Sequence, residues 1–259
     1  MEVINESIYD HPKYYDLVFG SDVAAELNFI CNVNAKHMNG KASRLFEPAC
    51  GTGRLMFALA RKGYQVAGID LNEKAVDFAN ERLEKRGYKP SARVADMSDF
   101  RYAPKWDLAF NTINSFRHLT TPKLVRNHLT CMAAGTEKNG IYLIGLHLTP
   151  TTTDPMDEES WSASRGHLTV NTHMWTNERA PKKRIERFGI RFDVYTPTRQ
   201  FQIMDELVMR SYTYRQFQTM IDRQGDWKIE AVYDFRYDIE EPIEVDSSSE
   251  DVVYVLRKK

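Results

Sequence analysis

Two glycines and an aspartate that follow neighbouring apolar runs are well placed to bind a ligand. Gly51 and Gly53 follow the strand candidate 44–47 after three intervening residues, and Asp70 ends the next strand candidate, 65–70. Glycine has no Cβ atom, so the main chain can turn sharply there and approach a ligand closely. A carboxylate at the end of a strand can accept hydrogen bonds from ribose hydroxyls. The spacing therefore predicts a site for a molecule that contains ribose.

A dinucleotide is the first candidate ligand, and it fits this turn poorly. Dinucleotide sites use the pattern G-x-G-x-x-G, in which the third glycine lets helix and strand pack closely around the pyrophosphate. Counted from Gly51 and Gly53, the third position is Met56. Because methionine is bulky, a nicotinamide-dependent oxidoreductase is disfavoured.

The turn resembles the first motif of class I S-adenosylmethionine-dependent methyltransferases, in which an acidic residue precedes a small-x-Gly-x-Gly turn. Glu47 is the acidic residue here, and Ala49 stands where the family often has glycine. The resemblance covers roughly residues 40–148 and implies a small-molecule enzyme with S-adenosyl-L-methionine as cofactor and S-adenosyl-L-homocysteine as product. Its other parts are Asp70 at the end of the second strand, "VADM" (94–97) at the end of the third and "FNTINSF" (110–116) after the fourth.

The resemblance also implies roles for residues around the cofactor. Asp70 would accept from the ribose hydroxyls and Asp96 from the adenine amino group, although Asp96 equally suits a turn-capping role. Met97 would lie against the adenine ring, and Asn111 would line the amino-acid end. Arg54 either binds the methionine carboxylate or is a surface arginine. The expected cofactor-binding residues are Tyr15, Glu47, Ala49, Gly51, Gly53, Arg54, Asp70, Leu71, Asp96, Met97 and Asn111.

Methyl transfer is an in-line displacement, so its catalyst mainly aligns the reactants and excludes water. A general base is needed only where the acceptor stays protonated, and the family has no fixed one. Candidates follow the fourth and fifth strands, with His118 preferred and His147 second. The alternative for each histidine is a structural or solvent-facing role. Other polar candidates in the same place are Asn114, Ser115 and Arg117.

Aromatic residues in two regions are candidates for the walls of the site. The N-terminal stretch "YYDLVF" supplies Tyr14, Tyr15 and Phe19, which either cover a sulfonium cation or pack on the sheet. A second aromatic group either walls an acceptor pocket or forms a local core. It consists of Trp161, Trp175, Phe192 and Tyr195.

The elements that must position these residues alternate between strand and helix. Such alternation predicts an α/β fold with a Rossmann-like, doubly wound, mostly parallel seven-stranded sheet. Ligands in this fold bind beyond the carboxyl ends of the strands, where Gly51, Asp70 and Asp96 would meet. The predicted strands are 44–47, 65–70, 91–96, 106–112, 140–148, 227–235 and 251–259.

The alternation stops after the fifth strand, which predicts an antiparallel β insertion. Residues 149–165 are predicted as a loop, and long strands without intervening helices follow it. The insertion would serve as a lid, a substrate surface or a dimer surface. The predicted division is an N-terminal helical cap over 1–39, an S-adenosylmethionine-binding domain over 40–148 and 213–259, and the insertion over 149–212.

Composition excludes several other classes of protein. The net charge is −1, which argues against a nucleic-acid binder that uses a general positive field. No stretch approaches the roughly 18 apolar residues of a membrane helix, and we expect a cytoplasmic protein. The three cysteines are far apart and fit neither disulfides nor zinc, and His167 and His173 lack a third metal ligand.

The favoured hypothesis is transfer of a methyl group to nitrogen or oxygen of a small molecule by in-line displacement. One alternative is a non-catalytic sensor or partner subunit that binds S-adenosylmethionine. Another is a methyltransferase that acts on a protein or RNA. A homodimer formed through the β insertion is a further alternative, and the sequence leaves the oligomeric state open.

Overall fold

The protein consists of two β-sheets and six α-helices, and the computed structural model describes all residues from 1 to 259. The helices are α1 (Pro12–Gly20), α2 (Ala24–Met38), α3 (Arg54–Arg61), α4 (Glu73–Glu84), α5 (Pro122–Gly135) and α6 (Tyr214–Gln224). The strands are β1 (Glu2–Asn5), β2 (Arg44–Pro48), β3 (Gln65–Asp70), β4 (Ala92–Val94), β5 (Trp106–Asn111), β6 (Thr136–His147), β7 (Glu158–Arg165), β8 (Leu168–Ala180), β9 (Ile185–Tyr195), β10 (Gln200–Arg210), β11 (Trp227–Asp234) and β12 (Asp251–Lys258). Two 3-10 helices cover Ile8–Asp10 and Ser115–His118. No helix is at once long enough and apolar enough to span a membrane.

The larger sheet has seven strands in the order β11-β12-β6-β5-β2-β3-β4. Strands β2 to β6 are parallel, and β12 is antiparallel to both β6 and β11. This confirms the predicted Rossmann-like fold class. The chain moves outward from β2 to β4 and then returns to the other side of β2 with β5. Ligands bind at such a switch point, beyond the carboxyl ends of the strands.

The two helices that flank the glycine turn follow from local sequence. In α3, Leu55 and Leu59 fall on one face and are fully buried against the sheet. The chain leaves α3 through Gly63, whose φ of +94° lies in the left-handed region that commonly ends a helix. The side chain of Asn72 caps α4 by accepting from the backbone N–H of Ala75 at 3.0 Å.

The second sheet has five strands in the order β1-β10-β9-β8-β7. Neighbouring strands are antiparallel except β1, which runs parallel to β10. The buried side chains of Leu17 and Val18 on α1 belong to the same apolar cluster as Val170 and Phe192 of the sheet. The N-terminal segment and the insertion therefore share one core.

Two secondary-structure predictions are wrong. Residues 149–165 are not a loop throughout, because β7 occupies the second half and pairs with β8 along its length. The polar stretch "EESWSASR" concealed this strand, since only Trp161 and Ala163 mark its buried face. The N-terminal segment is not purely helical, because Glu2–Asn5 pairs with a strand almost 200 residues away. The division into cap, central domain and insertion stays a prediction, as does dimerisation.

Candidate active site

The glycine turn between β2 and α3 has three residues in the left-handed region. Ala49, Gly51 and Gly53 have φ values of 55°, 51° and 65°. A side chain on Gly53 would place its Cβ atom 2.8 Å from the Cβ atom of Ala79 in α4, so packing also excludes one there. Ala49 adopts the conformation at a cost of about 1–2 kcal/mol. The turn is therefore held in a shape that its sequence only partly favours.

Asp70 fixes this turn to the end of β3. Its Oδ2 atom accepts from the backbone N–H of Gly51 at 2.7 Å, and its Oδ1 atom accepts from that of Asn72 at 2.9 Å. Each carboxylate oxygen keeps a further lone pair for a ligand hydroxyl. Burial raises the pKa of the Asp70 carboxyl, while the backbone N–H groups oppose this rise. Leu71 is 73% exposed beside it, which places an apolar surface next to the carboxylate.

Glu47 carries a buried atom that has no partner within the protein. Its side chain lies at the end of β2, it is 6% exposed, and its Oε2 atom accepts no hydrogen bond. Burial raises the pKa of the Glu47 carboxyl well above its usual range. A buried acceptor without a donor is costly. The site therefore suits a ligand with a hydrogen-bond donor at this point, and the amino-acid end of S-adenosylmethionine has one.

Arg54 is buried, so it is not the surface arginine that the sequence allowed. Its guanidinium makes a bidentate ion pair with Glu26 of α2. Glu26 also accepts from the hydroxyl of Thr112 at 2.6 Å, just after β5. The pair joins α2, the glycine turn and the β5 loop. Contact of Arg54 with a cofactor carboxylate stays a prediction.

Asp96 and Met97 follow β4 at the same edge of the sheet. The Oδ1 atom of Asp96 accepts from the backbone N–H of Ser98 at 2.7 Å, which is the capping role left open by the sequence. The carbonyl of Met97 accepts from Nδ1 of the buried His128 at 2.8 Å. His128 therefore holds in place the segment that is expected to border the adenine.

Asn111 is more deeply buried than a residue at an open edge of the site. Its side-chain amide donates to the carbonyl of Pro48 at 2.8 Å, and its Oδ1 atom accepts from the N–H of Phe116 at 3.3 Å. These bonds tie the end of β5 to the end of β2. Through its bond to Pro48, Asn111 supports the chain that leads into the glycine turn. A contact of Asn111 with the cofactor stays a prediction.

Asp16 on α1 is a site residue that the sequence analysis missed. It is 1% exposed, and its Oδ1 atom accepts from the hydroxyl of Thr52 at 3.0 Å. The same carboxylate lies 2.5 Å from Arg82 of α4 and 3.5 Å from Arg165 at the end of β7. It connects the glycine turn to three other elements. The available signal was an acidic residue between apolar neighbours in "YYDLVF".

A cavity of about 260 Å³ lies between the N-terminal segment, the loops after β5 and β6, and one face of the five-stranded sheet. Trp161 and Trp175 line it, as predicted for an acceptor pocket. Phe192 is instead fully buried in the core of the insertion, because it points to the α1 side of the sheet. Tyr14 and Tyr195 do not line the cavity.

Tyr15 connects the cavity with the glycine turn. Its ring lines the cavity, and a Cβ atom on Gly51 would lie 3.8 Å from it. The ring of Phe19 packs on it with centroids 4.6 Å apart. Tyr15 and Phe19 therefore line the cavity beside the glycine turn, and their contact with a cofactor stays a prediction.

His118 lies in the cavity and contacts a second residue from the N-terminal segment. Its Nε2 atom is 2.9 Å from the hydroxyl oxygen of Tyr9. Burial lowers the pKa of His118, and the charge of Arg117 lowers it further against an opposing effect of Asp205. Burial raises the pKa of Tyr9 well above its usual range. At neutral pH the imidazole is therefore uncharged and the phenol protonated, a state in which the ring can accept a proton.

The other polar candidates after β5 and β6 are either more exposed than His118 or already paired with protein groups. His147 is 41% exposed at the rim of the cavity, where Nδ1 pairs with Asp251. The Oδ1 atom of Asn114 accepts from the backbone N–H of His147 at 2.7 Å. Arg117 is buried, with its guanidinium paired with Glu186. Of these residues, His118 combines burial with an uncharged ring.

Parts of the chain are similar in sequence to known proteins. A model of the methyltransferase domain family matches residues 46–140. The chain is 29% identical over 140 residues to dTDP-3-amino-3,4,6-trideoxy-alpha-D-glucopyranose N,N-dimethyltransferase of Streptomyces venezuelae. That alignment covers 52% of this chain and 56% of the relative, so the chain spans little more than half the length of this curated protein.

Solved structures share the fold over nearly the whole chain. An S-adenosylmethionine-dependent methyltransferase from Clostridium acetobutylicum has a TM-score of 0.77 at 16% identity, with 96% of this chain and 97% of that chain covered. An amino pentose methyltransferase from Micromonospora echinaspora, solved with bound S-adenosylmethionine, has a TM-score of 0.72 at 15% identity over 98% and 99% of the two chains. The chain therefore contains a region similar to the methyltransferase domain over residues 46–140, and it shares the fold of S-adenosylmethionine-dependent methyltransferases over nearly its whole length.

Proposed function

We propose that this protein transfers a methyl group to a nitrogen atom of a small molecule that binds in the 260 Å³ cavity. The observation that carries the proposal is the uncharged His118 beside Tyr9 in that cavity. Transfer to an amine requires loss of a proton from nitrogen, and a positioned neutral imidazole can accept it. The relative from Streptomyces venezuelae is named as an N,N-dimethyltransferase, which agrees with a nitrogen acceptor.

The cofactor would lie along the glycine turn and the ends of β2, β3 and β4. When bound, it supplies a methyl group activated by the sulfonium charge. Gly51 leaves the backbone bare, and Asp70 offers its remaining lone pairs to the ribose hydroxyls. Leu71 and Met97 offer apolar surface to the adenine, and Glu47 offers its unpartnered Oε2 atom to the amino group.

The acceptor amine enters the cavity as an ammonium ion and must lose a proton before its lone pair can react. The N–H bond breaks, and the proton passes to a ring nitrogen of His118. The freed nitrogen lone pair would then be available to take the methyl group that the bound cofactor would supply. His118 gives its proton to solvent afterwards, because burial has lowered its pKa. Tyr9 holds the ring in orientation through its hydroxyl.

The size of the cavity favours a small acceptor over a macromolecule. Its walls come from the N-terminal segment on one side and the insertion on the other, so a small acceptor would lie between them. A protein or RNA acceptor would have to insert a single side chain or base between them. A sensor that binds the cofactor without turnover needs no proton acceptor in the cavity.

A panel of amines and alcohols tests the proposal. The purified protein is incubated with S-adenosylmethionine and each acceptor, and both S-adenosylhomocysteine and the methylated product are measured by mass spectrometry. We expect product from amines and none from alcohols. Methylation of hydroxyl groups alone contradicts a nitrogen acceptor, and binding of S-adenosylmethionine without turnover of any acceptor indicates a sensor.

A further inference from the structure

We infer that the acceptor is a cationic amine that carries no phosphate or diphosphate group. This inference rests on the proposed function and specifies the class of acceptor. Three features of the cavity carry it, namely the excess of carboxylates, the pairing of both guanidinium groups and a continuous aromatic wall.

The charges that line the cavity are mostly negative. Six carboxylates and two guanidinium groups line it, and no lysine does, so with neutral histidines the carboxylates exceed the cations by four. In a cleft such charges act together and raise the local concentration of cations. The carboxylates are Asp157, Glu158, Glu159, Glu186, Glu250 and Asp251.

Both guanidinium groups already bind protein acceptors. Arg117 pairs with Glu186 and donates through Nε to the carbonyl of Arg210 at 3.0 Å. Arg179 pairs with Asp157 and donates to the carbonyl of Met156 at 2.7 Å. A phosphate group is recognised through free arginine or lysine side chains. The Nε atom of Arg179 is buried and donates no hydrogen bond, but it lies 3.8 Å from Oε1 of Glu186, so the charge of each lining guanidinium group is already matched by a carboxylate.

The uncharged wall of the cavity also suits a cation. Ring centroids of Tyr9 and Tyr15 lie 5.4 Å apart, those of Tyr15 and Phe19 4.6 Å, and those of Phe19 and Trp161 5.9 Å. This row of rings leads from His118 to the insertion. Aromatic faces attract an ammonium group and give no hydrogen bond to a phosphate oxygen.

The inference separates this chain from its curated relative in acceptor chemistry. The relative from Streptomyces venezuelae is named for a dTDP-linked amino sugar, which carries a diphosphate. A diphosphate in the present cavity would meet the unpaired carboxylates of Glu159 and Glu250 without a compensating cation. We therefore expect the same kind of amine to bind only when it is not linked to a nucleotide.

Equilibrium binding with matched probes tests this directly. Protein saturated with S-adenosylhomocysteine is titrated with ethanolamine and phosphoethanolamine, and with glucosamine and glucosamine 1-phosphate. Fluorescence reports binding, because Trp161 and Trp175 line the cavity. We expect the unphosphorylated member of each pair to bind at least tenfold more tightly in low salt, with a smaller ratio in high salt. Equal or reversed affinities, or no binding by either amine, overturn the inference.

A charge-reversal variant gives a second readout. Glu159→Lys combined with Glu250→Lys should lower the tenfold ratio to near one or reverse it. The matched control combines Glu84→Lys with Glu244→Lys, which are exposed and lie outside the cavity, and it should keep the ratio of the unmodified protein. An unchanged ratio in the cavity variant contradicts the inference. Failure of the proposed function appears separately, as absence of S-adenosylhomocysteine formation with every amine.

Discussion

The hydroxyl oxygen of Tyr9 lies 2.9 Å from Nε2 of His118. The two residues come from the N-terminal 3-10 helix and from the loop after β5, and they meet at the cavity. The N-terminal segment therefore forms part of the wall of the cavity. Backbone pairing of β1 with β10 and the bond from the N–H of Ile8 to Asp205 at 3.0 Å hold that segment in place.

Tyr9→Phe tests whether this contact serves the reaction. The variant keeps the ring and removes the hydroxyl that orients His118. We expect kcat to fall about three- to tenfold, which corresponds to one neutral hydrogen bond. The affinity for S-adenosylhomocysteine should not change. Tyr14→Phe is the control, because Tyr14 does not line the cavity. Equal effects of the two substitutions would assign Tyr9 a packing role only.

The pH dependence of kcat should report the protonation of His118. Burial holds the pKa of His118 below its usual value of 6.5. The neutral ring is the active form, so kcat should fall as the pH drops through that lowered pKa. The acidic limb of the profile should therefore have its midpoint below pH 6.5. A midpoint above this value, or the same limb in His118→Ala, would contradict the assignment.

Asp70→Ala should weaken cofactor binding through loss of the carboxylate that is expected to accept the ribose hydroxyls. We expect a loss of about 1.5–3 kcal/mol in the binding of S-adenosylhomocysteine, measured by calorimetry. Asp77→Ala is a matched control, because Asp77 is exposed on α4. Unchanged affinity in Asp70→Ala would remove this residue from the cofactor site.

Affinity for S-adenosylhomocysteine should also fall on acidification. A protonated Asp70 offers fewer lone pairs to the ribose, and burial raises the pKa of this carboxyl above its usual value of 3.8. The decline should therefore begin at a higher pH than for an exposed aspartate. Asp70→Asn, which cannot titrate, should lack that step.

Asp16 and Thr52 should act together on the glycine turn. Removing the buried carboxylate in Asp16→Asn should cost about 1.5–3 kcal/mol in the free energy of unfolding, since its bonds involve a charged group. Thr52→Val removes the hydroxyl that donates to it. A double-mutant cycle on S-adenosylhomocysteine affinity measures their coupling. Additive effects would show that the contact does not position the turn.

Ala49→Gly should leave the fold unchanged and stabilise it slightly. Relief of the left-handed conformation at Ala49 gains about 1–2 kcal/mol, and the added chain entropy of glycine costs about 0.5–1 kcal/mol. The free energy of unfolding in urea should therefore rise by up to about 1.5 kcal/mol. A clear loss of stability would contradict the strain assigned to this position.

The sequence predicted what depends on local pattern. The alternation of strand and helix signals follows from neighbouring residues, and the α/β fold class predicted from it is confirmed, whereas the order of the strands was not predicted. The contact of Tyr9 with His118 joins residues 109 positions apart, and no local pattern marks it. Strand β1 was missed because its partner, β10, lies almost 200 residues away. Strand β7 was missed because its sequence is mostly polar.

The sequence pattern indicates more residues for a cofactor site than for an acceptor site, and the roles of both sets stay predictions. A motif of fixed spacing marks the glycine turn and Asp70, whereas the cavity walls come from segments that lie far apart in the chain. Phe192 shows the limit, since its position in a strand does not reveal which face of the sheet it occupies. Asp16 shows a usable signal, because an acid between apolar neighbours requires buried partners.

The most direct test of the account is the rate at which a labelled methyl group moves from S-adenosylmethionine to an amine acceptor in wild type, His118→Ala and His147→Ala. We expect the rate of methyl transfer to fall at least about a hundredfold in His118→Ala, as for loss of a general base, with unchanged affinity for S-adenosylhomocysteine. His147→Ala should stay within a few-fold of wild type. Wild-type rates in His118→Ala, or a label found only on oxygen, would contradict it.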